Sequence, residues 1–208
     1  MKGLILEGIV GSGKSSILLF LRKQIIENGS SSLILDEAIT ERPLEPLSSS
    51  NVETSLLHLN RLVELMVRLY DLETAAQKPI ESRVQFVLER FHFSHCLDIA
   101  GFERFAAYAD IDKQMMGLGS KLVVLTMKED LIRERSVLST KKFRGEAWSG
   151  YLEQIAETEE GVSAFYAAQQ EHFIALCRMS TIPSMAVDTS NCDWEEASFQ
   201  IVDFLNRD

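Results

Sequence analysis

The amino-acid sequence predicts an α/β protein in which a five-stranded parallel sheet lies between two layers of helices. Three observations favour this fold. Five short apolar segments alternate with segments whose apolar residues recur at helical spacing, the order typical of a parallel sheet with helical crossovers. The third of these segments, residues 84–88, is apolar apart from Gln85 and does not alternate, which suits a strand buried on both faces of a sheet. A glycine-rich loop joins the first apolar segment to the first helical one.

The predicted strands are short and are distributed along the whole chain. They comprise residues 2–7, 32–35, 84–88, 121–127 and 184–187. No repeat, low-complexity tract or interdomain linker interrupts the 208 residues, a length sufficient for one full hydrophobic core. We therefore predict a single domain over residues 1–208.

Residues that cap or interrupt helices bound the helical segments of the first half. The first helix is predicted over residues 16–28, and Gly29 follows it as a residue that tolerates the positive φ of a C-terminal cap. Two prolines and a serine cluster predict a loop over residues 38–51. Ser50, near the end of this loop, and Glu53 have the spacing of a capping box, which predicts a long helix that begins there.

The remaining helices are predicted in the same way. The long helix has a wide apolar face and is expected to end before Pro79. Helical patterns follow over residues 91–100, 102–116 and 147–177. Gly161 is expected to break the last of these. Asp193, with Glu196 three residues later, predicts a capped C-terminal helix.

The loop after the first predicted strand carries the most specific motif of the chain. Residues 8–15 read GIVGSGKS, which matches the P-loop pattern G-x-x-x-x-G-K-[ST]. In such a loop the backbone N–H groups and the following helix N-terminus bind phosphate, the lysine reaches the β/γ-phosphates and the last hydroxyl is placed for Mg²⁺. The sequence therefore predicts a nucleoside triphosphate site, with ATP and Mg²⁺ as cofactors. The predicted nucleotide-binding residues are Gly8, Gly11, Ser12, Gly13, Lys14, Ser15 and Ser16.

Polar residues stand at or directly after the ends of the first three predicted strands. Glu7 precedes the P-loop, Asp36 and Glu37 follow the second strand, and Glu89 and Arg90 follow the third. Ligands of a parallel sheet bind beyond the carboxyl ends of its strands, so these side chains are candidates for chemistry. Phosphoryl transfer needs a carboxylate to hold Mg²⁺ and cations on the moving phosphoryl group. Glu89, together with the hydroxyl of Ser15, is therefore predicted to bind the metal, and Arg90 the phosphoryl group.

A basic stretch after the fourth predicted strand is a candidate lid. It covers residues 133–146 in a chain that is acidic overall, and we predict that Arg133 and Arg135 close over the phosphates. Lys14 is expected to be an exposed charge at the junction of loop and helix. The sequence does not decide whether three further basic residues belong to the site: Lys141, Lys142 and Arg144.

Composition narrows the class of partner. The net charge of −10 argues against nucleic acid or an anionic membrane surface as the main partner. The three cysteines have no paired spacing, which indicates neither a disulfide framework nor a zinc site. No segment is long and apolar enough to cross a bilayer, and the chain opens without a signal-peptide pattern. We expect a cytoplasmic protein that acts on a small molecule.

Several motifs resemble those of deoxynucleoside kinases and thymidylate kinases. Residues 7–16 (EGIVGSGKSS) resemble the E-G-x-I-G-x-G-K-S-[ST] opening of deoxynucleoside kinases. Residues 89–94 (ERFHFS) resemble the E-R-S-x-x-S segment of the same family and the D-R-Y-x-x-S segment of thymidylate kinases. Arg133-x-Arg135, with Glu146 and the Tyr-Leu pair at 151–152, is similar to the lid of deoxynucleoside kinases. The C-terminal part resembles thymidylate kinases at Phe165, Tyr166, Val187 and Asp188.

The resemblance implies a P-loop kinase fold and a role for several residues. Glu37 corresponds to a general base near the 5′-hydroxyl of the acceptor, and Arg90 to a residue that contacts the acceptor and the transferred phosphoryl group. Arg133 and Arg135 correspond to the lid, and the loop over residues 188–192 would lie near adenine. The resemblance also implies a homodimer. The chain departs from the family pattern on the acceptor side, at Ala38, Phe91 and His95.

Three functions are compatible with these motifs. The first is an ATP-dependent kinase of a nucleoside or nucleoside monophosphate, and the second is a P-loop kinase of another small hydroxylated metabolite or antibiotic. The third is a non-catalytic nucleotide-binding switch, whose D-x-x-G pattern is present at Asp98–Gly101 inside a predicted helix. We favour a hydroxyl acceptor over a phosphate, because Glu37 follows its strand without an adjacent arginine. Arg42 is the residue that could reverse this choice.

Overall fold

The computed structural model describes residues 2–27, 32–44, 51–79 and 85–207. Within these ranges the chain forms a parallel sheet of five strands in the order β2-β3-β1-β4-β5. The strands are β1 (Lys2–Gly8), β2 (Ser32–Leu35), β3 (Gln85–Glu89), β4 (Ser120–Thr126) and β5 (Ser184–Asp188). Their bounds agree with the predicted ones to within one residue at each end, except that Val84 lies outside the described residues. The predicted α/β fold is confirmed.

Helices connect the strands in the described part of the chain. The α-helices are α1 (Lys14–Glu27), α2 (Glu37–Thr40), α3 (Val52–Ala75), α4 (His92–His95), α5 (Ala109–Gly117), α6 (Glu129–Ile132), α7 (Ser139–Arg144), α8 (Glu146–Ile155), α9 (Glu159–Met179) and α10 (Trp194–Asn206). Short 3₁₀ and π segments link some of them: Arg42–Leu44, Cys96–Ala100, Phe102–Tyr108 and Arg133–Leu138. No helix in these ranges combines the length and the apolar character needed to cross a membrane.

The sheet is buried on both faces, which explains its apolar strands. In β1, Leu4 and Leu6 point into a core shared with α1 and α10. Ile5, between them, points into the larger core on the opposite face, where α3, α5 and α9 pack. Because successive side chains of a strand point to opposite faces, two cores require an unbroken apolar run. The result is a three-layer arrangement with β1 in the centre of the sheet.

Local predictions about helix ends were corrected in three places. The predicted loop over residues 38–51 begins instead with α2, which Asp36 caps by accepting a hydrogen bond from the Ala38 N–H. Helix α3 is capped by a reciprocal pair, Asn51 and Thr54, rather than by Ser50, which lies outside the described residues together with Gly29.

The third correction concerns the helical region after the lid segment. The predicted helix is interrupted at residues 156–158 and not at Gly161, because Thr158 caps α9 and accepts the Gly161 N–H. The cap formed by Asp193 on α10 is confirmed.

Candidate functional site

The P-loop lies between the end of β1 and the beginning of α1, so that the helix N-terminus faces the carboxyl edge of the sheet. Two glycines are required by close approaches as well as by backbone geometry. Gly11 has a φ of +77°, and a Cβ there would lie 2.6 Å from the carbonyl oxygen of Arg135. Gly13 has a φ of +92°, and a Cβ there would collide with the ring of Trp194. The lid segment and α10 therefore pack directly on the loop.

Lys14 is buried, which corrects the expectation of an exposed charge. Its side chain is only 6% exposed, and its ammonium donates to the carbonyl oxygens of Gly8 and Ile9, at 2.8 and 3.0 Å. Burial and the nearby Arg90 lower the pKa of Lys14 to about 7. An anion bound in the loop would therefore restore the full charge of this lysine.

A cleft of about 290 Å³ opens over the P-loop. It brings together most of the residues singled out from the sequence, and it adds others from α7 and α10. The predicted residues that line it are Gly11, Gly13, Lys14, Ser15, Ser16, Glu37, Glu89, Arg90 and Arg135. The additional ones are Val10, Ser139, Thr140, Phe143, Arg144 and Trp194. Gly8, Ser12 and Arg133 do not line this cleft.

Glu89 brings a buried carboxylate to the cleft. It lies at the end of β3, opposite Leu6 of β1, and is 4% exposed. Burial raises the pKa of Glu89 even though the ammonium of Lys14 is close. Ser15, whose side chain carries a hydroxyl, lines the same cleft. A carboxylate and a hydroxyl are oxygen donors of the type that Mg²⁺ prefers, so these two residues could hold that ion together with phosphate oxygens.

Glu37 is held by two arginines, neither of which is adjacent to it in the sequence. Its Oε2 lies 3.1 Å from Nε of Arg90, and its Oε1 accepts hydrogen bonds from Nε and Nη2 of Arg42. Burial by itself would raise the pKa of Glu37, but Arg90 and Arg42 outweigh it and lower the pKa. Glu37 is therefore ionised at neutral pH.

Arg90 is the centre of a charge cluster that the sequence did not predict. Its φ is +51°, and its side chain is 11% exposed. Besides Glu37 it contacts Glu41, at 3.2 Å from Nη1, and Asp98, at 3.9 Å from the same nitrogen. Burial would lower the pKa of Arg90, but these carboxylates raise it. Asp98 is held in turn by the side-chain amide of Gln169, at 2.8 Å.

Buried hydrogen bonds hold the end of α2 against the sheet. The hydroxyl of Thr40 donates to the carbonyl oxygen of Glu89. Nε2 of His95 donates to the carbonyl oxygen of Thr40 at 2.7 Å, so its Nδ1 accepts the hydroxyl of Ser55 at 2.8 Å. His58 stacks on His95 and also reaches the Thr40 carbonyl, at 3.0 Å. This bracing sets the position of Glu37, which begins the same short helix.

This bracing predicts an acid-sensitive stability. Burial lowers the pKa of His95 to about 4, whereas an unfolded histidine titrates near 6.5. The unfolded state binds the additional proton between these values, so the free energy of unfolding should fall by up to roughly 3 kcal/mol between pH 6.5 and 4. Urea unfolding across this range measures the loss. In His95→Gln the decline should become shallower, whereas the control His172→Gln, on an exposed histidine, should keep it. An unchanged pH dependence in His95→Gln would show that His95 is not the source of the acid-sensitive loss of stability.

The lid segment divides the predicted arginines. Nη1 of Arg135 donates to the carbonyl oxygen of Thr189 at 2.8 Å, and its guanidinium lies 5.3 Å from the ring centre of Trp194. Arg133 instead pairs with Glu159 at 2.6 Å and with Glu160 at 3.5 Å, outside the cleft. The structure thus brings Arg135, but not Arg133, to the P-loop.

Of the three basic residues that the sequence left undecided, one lines the cleft and two do not. Arg144 lines the cleft and lies over the ring of Trp148. Lys141 pairs with Glu159, and Lys142 lies beside the ring of Phe143. Neither lysine lines the cleft.

Comparison with known proteins addresses the fold. No protein-family model matches the sequence, and no curated protein is significantly similar to it. Among solved structures, the YorR protein of Bacillus subtilis, in complex with phosphorylated GDP, is 16% identical, with a TM-score of 0.58 over 98% of this chain and 95% of that one. Thymidylate kinase of Ehrlichia chaffeensis is 12% identical, with a TM-score of 0.54 over 99% and 98%. Shikimate kinase of Bacteroides thetaiotaomicron is 14% identical, with a TM-score of 0.52 over 99% and 98%.

The chain has the P-loop kinase fold. At these identities the similarity extends to the fold and not to an acceptor. Within this P-loop kinase fold, Glu7 is a supporting residue rather than a reactive one. Its carboxylate is fully buried and accepts the N–H groups of Phe91, Phe93 and Ser94 and the hydroxyl of Ser94. It thereby fixes the turn after β3 that carries Arg90.

Two residues beside the P-loop were missed by the sequence reasoning. Trp194 directly follows the cap of α10, so the local pattern predicts only the beginning of a helix there. The hydroxyl of Thr189 donates to the carbonyl oxygen of Ser12, at 2.9 Å, and ties the loop after β5 to the P-loop. The one sequence signal for Thr189 was the family resemblance, which implies that residues 188–192 lie near the nucleotide base.

Proposed function

We propose that this chain is an ATP-dependent phosphotransferase that moves the γ-phosphoryl group to a nucleoside or a nucleoside monophosphate. One observation carries the proposal: a single cleft contains the P-loop lysine, a carboxylate from the end of β3, and the Glu37–Arg90 pair beside them. These are the groups that phosphoryl transfer requires, because the reaction depends on positioning and on charge stabilisation. Cytoplasmic location, expected from the composition, and a homodimer, expected from the resemblance, belong to the same proposal.

The residues around the cleft fit both cofactors. ATP supplies the phosphoryl group, and its phosphates would be held by residues 11–16, with the lid near Arg135. Bound Mg²⁺ would neutralise phosphate charge, and Ser15 and Glu89 would hold it. The described residues contain no cluster of three or more histidine, cysteine or acidic side chains that could hold a metal.

The chain's own groups then have distinct tasks. Lys14 would leave the carbonyl oxygens of Gly8 and Ile9 and pair with phosphate oxygens. Arg90, which also lines the cleft, would hold the Glu37 carboxylate in position. Glu37 would accept the proton of the acceptor hydroxyl. Closure of Arg135 and Trp194 over the loop would exclude water.

The test is an ADP-release assay with Mg-ATP against nucleosides, nucleoside monophosphates and unrelated alcohols. Turnover with a nucleoside or its monophosphate supports the proposal. Nucleotide binding is measured separately through the fluorescence of Trp194 in Trp148→Phe, which leaves one tryptophan in the chain. Turnover only with unrelated alcohols would show that the acceptor is neither a nucleoside nor a nucleoside monophosphate. Nucleotide binding without ADP release on any acceptor would favour a binding switch.

Substituting the two lid arginines separately should give unequal results. Arg135→Ala should lower kcat by about 10²-fold with a smaller effect on ATP binding, since Arg135 lines the cleft and its guanidinium would act on the reacting phosphates. Arg133→Ala is the matched control and should change kcat by no more than about twofold, because exposed ion pairs such as its contacts with Glu159 and Glu160 contribute little. Steady-state kinetics and nucleotide titration distinguish the two. Equal losses would place both arginines in a moving lid, as the sequence predicted.

A second candidate is a kinase of another small hydroxylated metabolite or antibiotic. The observation that favours it is the acidic surrounding of Arg90, where Glu41 and Asp98 contact the guanidinium. The phosphate machinery of the two candidates is the same, and the acceptor panel separates them.

A further inference from the structure

On the acceptor side of the cleft, the two arginines Arg90 and Arg42 form ion pairs with carboxylates of the protein. Arg90 has its guanidinium within ion-pair distance of Glu37, Glu41 and Asp98. Arg42, the second guanidinium on Glu37, binds that carboxylate through both Nε and Nη2. Each of these two arginines is therefore already engaged by protein carboxylates.

The charges of this group do not favour an anion. Three carboxylates stand against two guanidinium groups, which leaves one surplus negative charge when all five are ionised. A proton on any one of the acids would reduce the surplus to zero and still leave no net positive charge. An entering phosphate or carboxylate would have to compete with Glu37 and Glu41 for Arg90, in a place that is largely withdrawn from water.

The acids are held where they are. Asp98 accepts from the amide of Gln169, and Glu41 follows Thr40, whose carbonyl oxygen receives His95. Rotating the Asp98 carboxylate away from Arg90 would break its hydrogen bond with Gln169, whereas the His95 contact fixes the backbone that precedes Glu41. The arrangement therefore presents hydrogen-bond acceptors rather than an open guanidinium fork to an incoming molecule.

We propose that the acceptor carries a hydroxyl group and no anionic group, so that it is an uncharged polyol or nucleoside, or a cationic amino alcohol, and not a monophosphate or a carboxylate. This inference rests on the proposed phosphotransferase function and narrows its acceptor class. The hydroxyl groups or ammonium of such an acceptor would donate to the carboxylates around Arg90.

The first test uses inorganic phosphate as a probe on protein loaded with Mg²⁺ and a non-hydrolysable ATP analogue, which occupies the P-loop. Calorimetry should show no phosphate binding tighter than about 10 mM in the natural protein. Glu41→Gln and Asp98→Asn each remove a competitor of the anion and should tighten phosphate binding at least about tenfold. Glu64→Gln, on the exposed face of α3, is the matched control and should change nothing.

The outcomes are separable from those of the proposed function. Tight phosphate binding by the natural loaded protein, or no gain in Glu41→Gln and Asp98→Asn, would overturn the inference. Failure to bind the ATP analogue would instead overturn the phosphotransferase. In the ADP-release assay, paired acceptors such as thymidine and thymidine monophosphate give a second reading, and faster turnover of the anionic member would also overturn the inference.

Discussion

Lys14→Ala should lose phosphoryl transfer by at least about 10³-fold, the largest effect that we expect of a single substitution. The transition state spreads negative charge over the phosphate oxygens, and Lys14 is the P-loop cation placed to meet it. The fold should survive for a reason that the structure supplies. Burying an ammonium is itself costly, as the lowering of the pKa of Lys14 to about 7 indicates, so its removal offsets the loss of its two carbonyl contacts.

Rates, nucleotide titration and the melting temperature together check this expectation. Lys113→Ala is a suitable control, because this lysine lies on α5 and its side chain is 64% exposed. It should retain the natural rate. A folded Lys14→Ala protein with a kcat close to the natural one would remove the basis for the P-loop assignment.

Glu37→Gln should reduce kcat by about 10²-fold or more, the usual scale of general base catalysis. Glutamine keeps the shape of the side chain and removes the group that accepts the proton. Glu41→Gln is the matched control, since it takes an equal charge from the same guanidinium and leaves Glu37 in place. It should cause a much smaller loss of kcat on a neutral acceptor. Comparing the two variants therefore separates the loss of proton transfer from the effect of removing one carboxylate charge beside Arg90.

The pH profile gives a second measure of the same residue. Arg90 and Arg42 lower the pKa of Glu37 from the ordinary glutamate value of 4.5. Activity that needs ionised Glu37 should therefore decline only below pH 4.5. Arg42→Ala removes one of these influences and should move the acid limb of kcat to higher pH. Turnover of a monophosphate without turnover of any nucleoside, with Arg42→Ala more damaging than Glu37→Gln, would contradict the role of Glu37 as a base.

The strands and most long helices were predictable because their signals are local. A continuous apolar run, a capping pair or a helix-ending proline acts over a few residues, and burial on both faces of the sheet reinforced the strand signals. Helix α2 was missed since two prolines follow it closely. Its stability depends on distant partners, the carbonyl of Glu89 and the ring of His95, which no local pattern reveals.

By itself, the sequence determined the α/β class, the positions of the strands and the P-loop, because each depends on residues adjacent in the chain. The tertiary structure alone decided the partners of the charged groups. The strand order places the ends of β2 and β3 side by side, and it thereby brings Arg90 to Glu37 and Glu41 across about fifty positions of sequence. Ion pairs of this kind depend on the three-dimensional course of the chain, so local spacing could identify Arg90 as a candidate but could not show that acids surround it.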